Sequence, residues 1–245
     1  MNYSKKIVEV IIEESVPVAI VSVGRPDIYT DTLKAAGIKV LHAISTPRHG
    51  QKAEAAGVDA VICEGFEAGG HKGFTELTTL TLTPMVADAV DVPVIAGGGI
   101  GDARGVLAVM ALGAEGVYMG TRFMVTRESD SHSRVKQAIA EIKDVRTVSV
   151  PKDYMLARDL INGFTKEYLN MRQAGASNSD LKAFLNGHSQ YHSQHLGLAD
   201  EAEICCGQVA GLINEVKSAG EVINEIAEII NEKFEALHQR LSVFL

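Results

Sequence analysis

His71 closes a glycine-rich run, EGFEAGGHKG at 64–73, that follows the apolar run AVIC at 60–63. The apolar run reads as a strand buried on both faces, as in a parallel sheet. The glycines at 65, 69, 70 and 73 allow tight turns and close approach of a ligand. An imidazole on a loop just past a strand's carboxyl end is well placed for proton chemistry in an α/β enzyme. A surface loop with an incidental histidine is the other reading. A second cluster, VIAGGGIGD at 94–102, also leaves a strand and opens a helix. Its amides, with the positive helix end, could wrap a phosphate. A third site, MGTR at 119–122, follows the next strand. Two glycine sites on consecutive strand ends favour phosphate binding over two unrelated tight turns. No acidic residue stands in the ribose position that a dinucleotide fold requires.

The elements that must position these residues follow from the pattern of the chain. Helical spacing at 5–14, 28–36, 51–56, 77–90 and 102–112 alternates with strand-like runs at 16–23, 38–44, 59–63, 92–96 and 116–119. That rhythm predicts a parallel sheet with right-handed crossovers, and five βα units of a barrel type. Thr46 is a candidate helix cap, and Gly37 a helix stop. After Phe123 the pattern changes. Helices are predicted at 134–143, 156–170, 179–185 (capped by Asn178 or Ser179), 202–216 and 219–241, with a short extended piece at 146–150 and a loop at 187–200. The division is then 1–130, a partial barrel, and 131–245, a helical subdomain with no strand pattern of its own.

Composition narrows the function. The chain has 245 residues, 46% apolar and 22% charged, with a net charge of −8. That acidic balance, without a basic stripe, argues against nucleic acid. No run of about 18 apolar residues suggests a membrane span. Glu9, Glu13 and Glu14 spoil a signal-peptide core. Cys63, Cys205 and Cys206 give neither a disulfide framework nor a zinc spacing, which fits a reducing cytoplasm. Cys205-Cys206 reads as packing rather than a redox pair. His188, His192 and His195 have the i, i+4, i+7 spacing of a metal face, but they sit in a polar segment with no acidic partner near, and no metal is expected.

Three motifs together, EGFEAGGHKG at 64–73, PVIAGGGI at 93–100 and GAEGVYMGTRF at 113–123, resemble the nitronate monooxygenase family, formerly 2-nitropropane dioxygenase. The family includes the flavin-dependent enoyl-acyl-carrier-protein reductase II. CGQVAG at 206–211 resembles its C-terminal Gly-Gln element. The resemblance implies a (β/α) barrel of TIM type holding FMN at the strands' carboxyl ends. It assigns Gly98, Gly99, Gly120 and Thr121 to the FMN phosphate, Glu64, Gly69 and Gln208 to the neighbourhood of the flavin, and His71 to catalysis. The implied activity is oxidation of alkyl nitronates with O2. One alternative is NAD(P)H-dependent enoyl-thioester reduction on the same flavin. Another is a non-catalytic or complementing fragment. The family pattern has three further βα units before the point where this sequence starts. The expected partners are therefore a small-molecule substrate and either a second copy or a chain supplying the missing strands.

Overall fold

The computed structural model describes residues 3–144, 146–152 and 155–242. It divides into two compact units. The first comprises Met1–Gly65, Thr75–Gly97 and Val109–Tyr118, and the second Phe66–Phe74, Gly98–Ala108 and Met119–Leu245.

The first unit begins with helix α1 (Tyr3–Glu13), then strand β1 (Val18–Val21), a short 3-10 turn, α2 (Thr30–Ala35), β2 (Lys39–Ile44), α3 (Pro47–Ala55) and β3 (Ala60–Glu64). Thr46 caps α3 as its sequence suggests, its side chain accepting from the His49 amide. The short strand β4 (Gly70–Lys72) belongs to the second unit. Then come α4 (Thr79–Ala87), β5 (Val94–Gly97), α5 (Ala103–Ala111), whose residues 103–108 belong to the second unit, and β6 (Gly116–Tyr118). Strands β1, β2, β3, β5 and β6 form one sheet in that order, every pair parallel. Each neighbours its predecessor in the chain, as in a singly wound barrel rather than a doubly wound sheet.

Central strand β3 is buried from Ala60 to Cys63, so its unbroken apolar run is what a strand covered on both faces demands. Edge strand β1 differs: Val18 and Ile20 are exposed while Ala19 between them is buried. No described residue of α1 is buried, and Ile7 and Val10 face solvent.

The second unit is helical, as its sequence suggests, but it also has a sheet. After α6 (Thr121–Met124) and α7 (Ser133–Ala140) come β7 (Thr147–Pro151) and β8 (Leu156–Leu160). These join β4 in an antiparallel sheet of order β4-β8-β7. Helices α8 (Gly163–Gln173), α9 (Asn178–Gly187), α10 (Gln190–Leu196) and α11 (Ala219–Leu241) follow.

Five expectations are corrected here. The glycine-rich segment around His71 is not all loop, since residues 70–72 pair with β8. The helix expected over 156–170 is a strand and a helix, α8, separated by the Asn162 cap. The helix expected over 202–216 is irregular, with one 3-10 turn at Gln208–Leu212. There the chain runs extended beside β8, the Leu160 amide donating to the Ile204 carbonyl. The loop expected at 187–200 contains α10, and Ser177 rather than Asn178 or Ser179 caps α9.

Two apolar clusters anchor the second unit. One gathers Val125, Val135, Ile139, Ile142, Leu160, Ile204 and Ile213, and the other Val150, Phe164, Tyr168 and Leu181.

Candidate functional site

The segments that leave the carboxyl ends of β3, β5 and β6 are collected in the second unit, where those after β3 and β6 bond to 206–208 and the one after β5 lies against Glu67. The Gln208 amide donates to the Glu67 carbonyl at 2.9 Å. The Gly207 amide donates to the Thr121 hydroxyl at 2.9 Å. A Cβ on Gly69 would stand 2.5 Å from the Cys206 carbonyl carbon and 2.6 Å from the Gly207 nitrogen, so only glycine lets these two backbones touch. A Cβ on Gly99 would come within 3.3 Å of the Glu67 side chain. The loops bearing Gly69, Gly99, Thr121 and Gln208 are thus brought together.

Gly98 and Gly99 lie in the left-handed region, φ +94° and +72°, which glycine adopts without strain. Gly120 has open space where a side chain would be. This pairing of left-handed amides with an unfilled gap fits an anionic tail such as a flavin phosphate. The end of α5 contributes less than the sequence suggests. Asp102 accepts from the Arg104 and Gly105 amides, so a carboxylate of the chain already answers the positive helix end. Burial works to raise that carboxyl, but the Arg104 guanidinium and the amides outweigh it and hold it below the usual range. The Thr121 hydroxyl accepts from Gly207 and still has a proton to donate.

Glu64 ends β3 half-buried, in the first unit. Gln208 is exposed beyond its backbone bond. His71 is exposed on β4, opposite Ala157 of β8. It lines a cavity of about 200 Å³ with Lys152, Met155, Tyr168, Leu181, Lys182, Leu185 and Asn186. Gly69, Gly98, Gly99, Gly120, Thr121 and Gln208 are not part of that lining.

Sequence reasoning missed the charged cluster behind the cavity. The Lys152 ammonium donates to Glu203 at 2.9 Å and lies 3.5 Å from Asp159. The Cys205 thiol donates to Asp159 at 3.3 Å. Burial pushes the Asp159 carboxyl up to about 6; Lys152 opposes the rise and Glu203 adds to it. Burial likewise drives the Cys205 thiol well above its ordinary value, which makes it a poor nucleophile. The one available signal was an Arg-Asp pair, 158–159, inside an otherwise apolar pentapeptide. The three histidines that share a helical spacing are engaged separately. His188 packs 4.4 Å from the Phe184 ring, His192 shares a hydrogen bond with Ser189, and His195 lies against Tyr191.

Comparison with known proteins places this geometry. A "Probable nitronate monooxygenase" of Staphylococcus aureus (strain JH9) is 39% identical over 171 residues, covering 65% of this chain and 48% of the relative. The chain therefore spans about half the length of the curated relatives it matches. The solved structure of FabK from Thermotoga maritima superposes with a TM-score of 0.91 at 37% identity, over 98% of this chain and 76% of that one. A nitroalkane oxidase from Streptomyces ansochromogenes superposes with a TM-score of 0.79 at 30% identity, over 96% of this chain and 70% of that one. The family model described as "Nitronate monooxygenase" matches residues 1–228, and on that match the chain belongs to the nitronate monooxygenase family.

Proposed function

We propose that the chain is an FMN-dependent oxidoreductase that oxidises alkyl nitronates with O2. The observation that carries this reading is the gathering of three glycine-bearing strand-end loops, two of them hydrogen-bonded to Gly207 and Gln208 and the third against Glu67, with His71 on the neighbouring strand β4. In this reading Gly98, Gly99 and Gly120 offer amides to the phosphate, and Thr121 donates its hydroxyl proton. Gly69 and Gln208 stand along the rest of the cofactor, and Glu64, at the end of β3, is the remaining residue that the family resemblance assigns to it. Bound flavin supplies the electron-accepting chemistry. His71 orients the substrate or holds the proton exchanged at its α-carbon.

A second reading, reduction of an enoyl thioester by NAD(P)H on the same flavin, is favoured by the closeness of the FabK fold. The two readings part on what bleaches the flavin anaerobically: an alkyl nitronate in the first, NADH in the second. Protein that stays colourless after reconstitution with FMN would support a third reading, a complementing fragment without catalysis of its own. In the flavin-loaded protein, His71→Ala should lower nitronate turnover by about 10²-fold or more, the usual share of a positioned proton-transfer group, while FMN affinity stays nearly unchanged. Unchanged turnover would remove His71 from the mechanism.

The parallel sheet ends at β1 and β6, each hydrogen-bonded on one side only among the described residues. With the exposed Val18, Ile20, Ile7 and Val10, the β1 edge fits a partner that adds a strand, either a second copy or a chain bearing further βα units. Sedimentation as a lone monomer at every concentration, with and without such a chain, would remove that pairing. The cysteines are all free, which suits a reducing cytoplasm.

A further inference from the structure

His71 stands on a strand that is by itself a poor support. β4 is three residues long and lies at the edge of its sheet, in the order β4-β8-β7. Gly69 and Gly73 flank it, and Gly70 is its first residue. Glycine backbone is the costliest to order, and short elements with few buried contacts open first. Side chains alternate along a strand, so His71 and its partner Ala157 point to one face, and Gly70, Lys72 and Arg158 to the other. On that second face the strand is tied back to the turn before it. The Lys72 ammonium donates to the Phe66 carbonyl at 2.8 Å and to the Ala68 carbonyl at 2.7 Å. The Arg158 guanidinium, 4% exposed, donates through Nε to the same Phe66 carbonyl at 3.2 Å. Both cations lie over the Phe66 ring, Lys72 Nζ at 4.7 Å and Arg158 Cζ at 4.9 Å from its centroid. Lys72 thus closes a loop on its own chain, and Arg158 fastens the same carbonyl to β8. A hydrogen bond from a charged donor is roughly twice as strong as a neutral one, which suits a tether on so short a strand.

We infer that Lys72, with Arg158, is a positioning residue for His71: the pair pins the back of β4 to the 66–68 turn and so fixes where the imidazole stands. The inference deepens the oxidoreductase reading and rests on it for what the imidazole does. Both side chains leave their strands on the face away from the imidazole, so they act on it through the backbone. Placement matters at this point because a shift of about 1 Å in a reacting group can cost on the order of 10²-fold in rate. The turn that receives the tethers also carries the Glu67 carbonyl that accepts from Gln208, and next to it Gly69, which abuts Cys206 and Gly207. One clasp therefore serves the imidazole and the joined loops together.

The test has two parts. In the full chain without flavin, hydrogen exchange compares the amides of 70–72 with those of 147–150 in β7. Lys72→Met keeps most of the stem and removes the charged donor. It should speed exchange at 70–72 by about tenfold, the worth of one charge-assisted hydrogen bond, and leave 147–150 unchanged. Lys72→Arg, which keeps a cationic donor, should restore most of the protection. Arg158→Lys, which keeps the charge and loses the planar fork, should speed exchange in the same segment by a smaller factor. In the flavin-loaded protein, Lys72→Met should lower kcat for an alkyl nitronate by about tenfold with KM little changed. The same change made in a His71→Ala background should cost less than about twofold further, since nothing is left to position. Unchanged exchange at 70–72 in Lys72→Met, or equal losses of turnover in the native and His71→Ala backgrounds, would overturn the inference. A protein that takes up no flavin, or whose turnover survives His71→Ala, removes the oxidoreductase role of the imidazole instead, and the exchange comparison alone then decides whether the strand is pinned.

Discussion

Gly69 has no room for a methyl group. Its missing side chain is required by the backbone of Cys206 and Gly207, so the residue serves the joining of two segments before it serves any ligand. Gly69→Ala should lower stability by ~1–3 kcal/mol, the range for overpacking a close contact, as read by the denaturant midpoint. On the proposed reading it should also weaken FMN binding, because the Glu67–Gln208 hydrogen bond lies close by. Glycine type and spacing were plain in the sequence; which atoms demand each glycine was not. Nothing local in 64–73 says that its neighbour comes from some 135 positions later, at 206–208.

Among the elements, the five parallel strands were legible because each is a short β-branched or small-residue run between a glycine or proline corner and a helix. β8 was not. Its sequence, LARDL, puts two charges in the middle, which suits a solvated helix face better than a buried strand. The charges are tolerated because they are answered inside the fold. Arg158 donates to the Phe66 carbonyl and lies over the Phe66 ring, and Asp159 has Lys152 and Cys205. Phe66 and Cys205 lie far off in sequence, and Lys152 is seven positions before Asp159. The strand's hidden acid has a measurable consequence. Folding holds the Asp159 proton more tightly than the unfolded chain does, up to about 6 against the ordinary 3.8. The stability contributed by the protonated form is complete below the ordinary value and is lost as pH rises through about 6. Asp159→Asn abolishes this loss. The stability of the variant relative to the native chain should therefore rise by up to ~3 kcal/mol between pH 4 and pH 7, measured by urea titration at each pH. A flat difference across that range would mean that Asp159 titrates normally.

For the whole molecule, the chain order of the parallel sheet contrasts with the reach of the small one. Val18 pairs with Lys39, Leu41 with Ala60 and Ile95 with Gly116, each about twenty positions apart. His71 pairs with Ala157, which lies 157 − 71 = 86 positions later. Closing the longer loop costs more chain entropy and comes later in folding. Pulsed hydrogen exchange during refolding should find β2, β3 and β5 protected before the amides of 70–72. Simultaneous protection would show that the two sheets form in one step. On the ribosome the same geometry imposes a wait. At synthesis rates of about 5–20 residues per second, β4 emerges on the order of 4–17 s before β8, the strand that pairs with it. Until then the nascent chain holds β1, β2 and β3 with their neighbours in place, while the amides of 70–72 still wait for theirs.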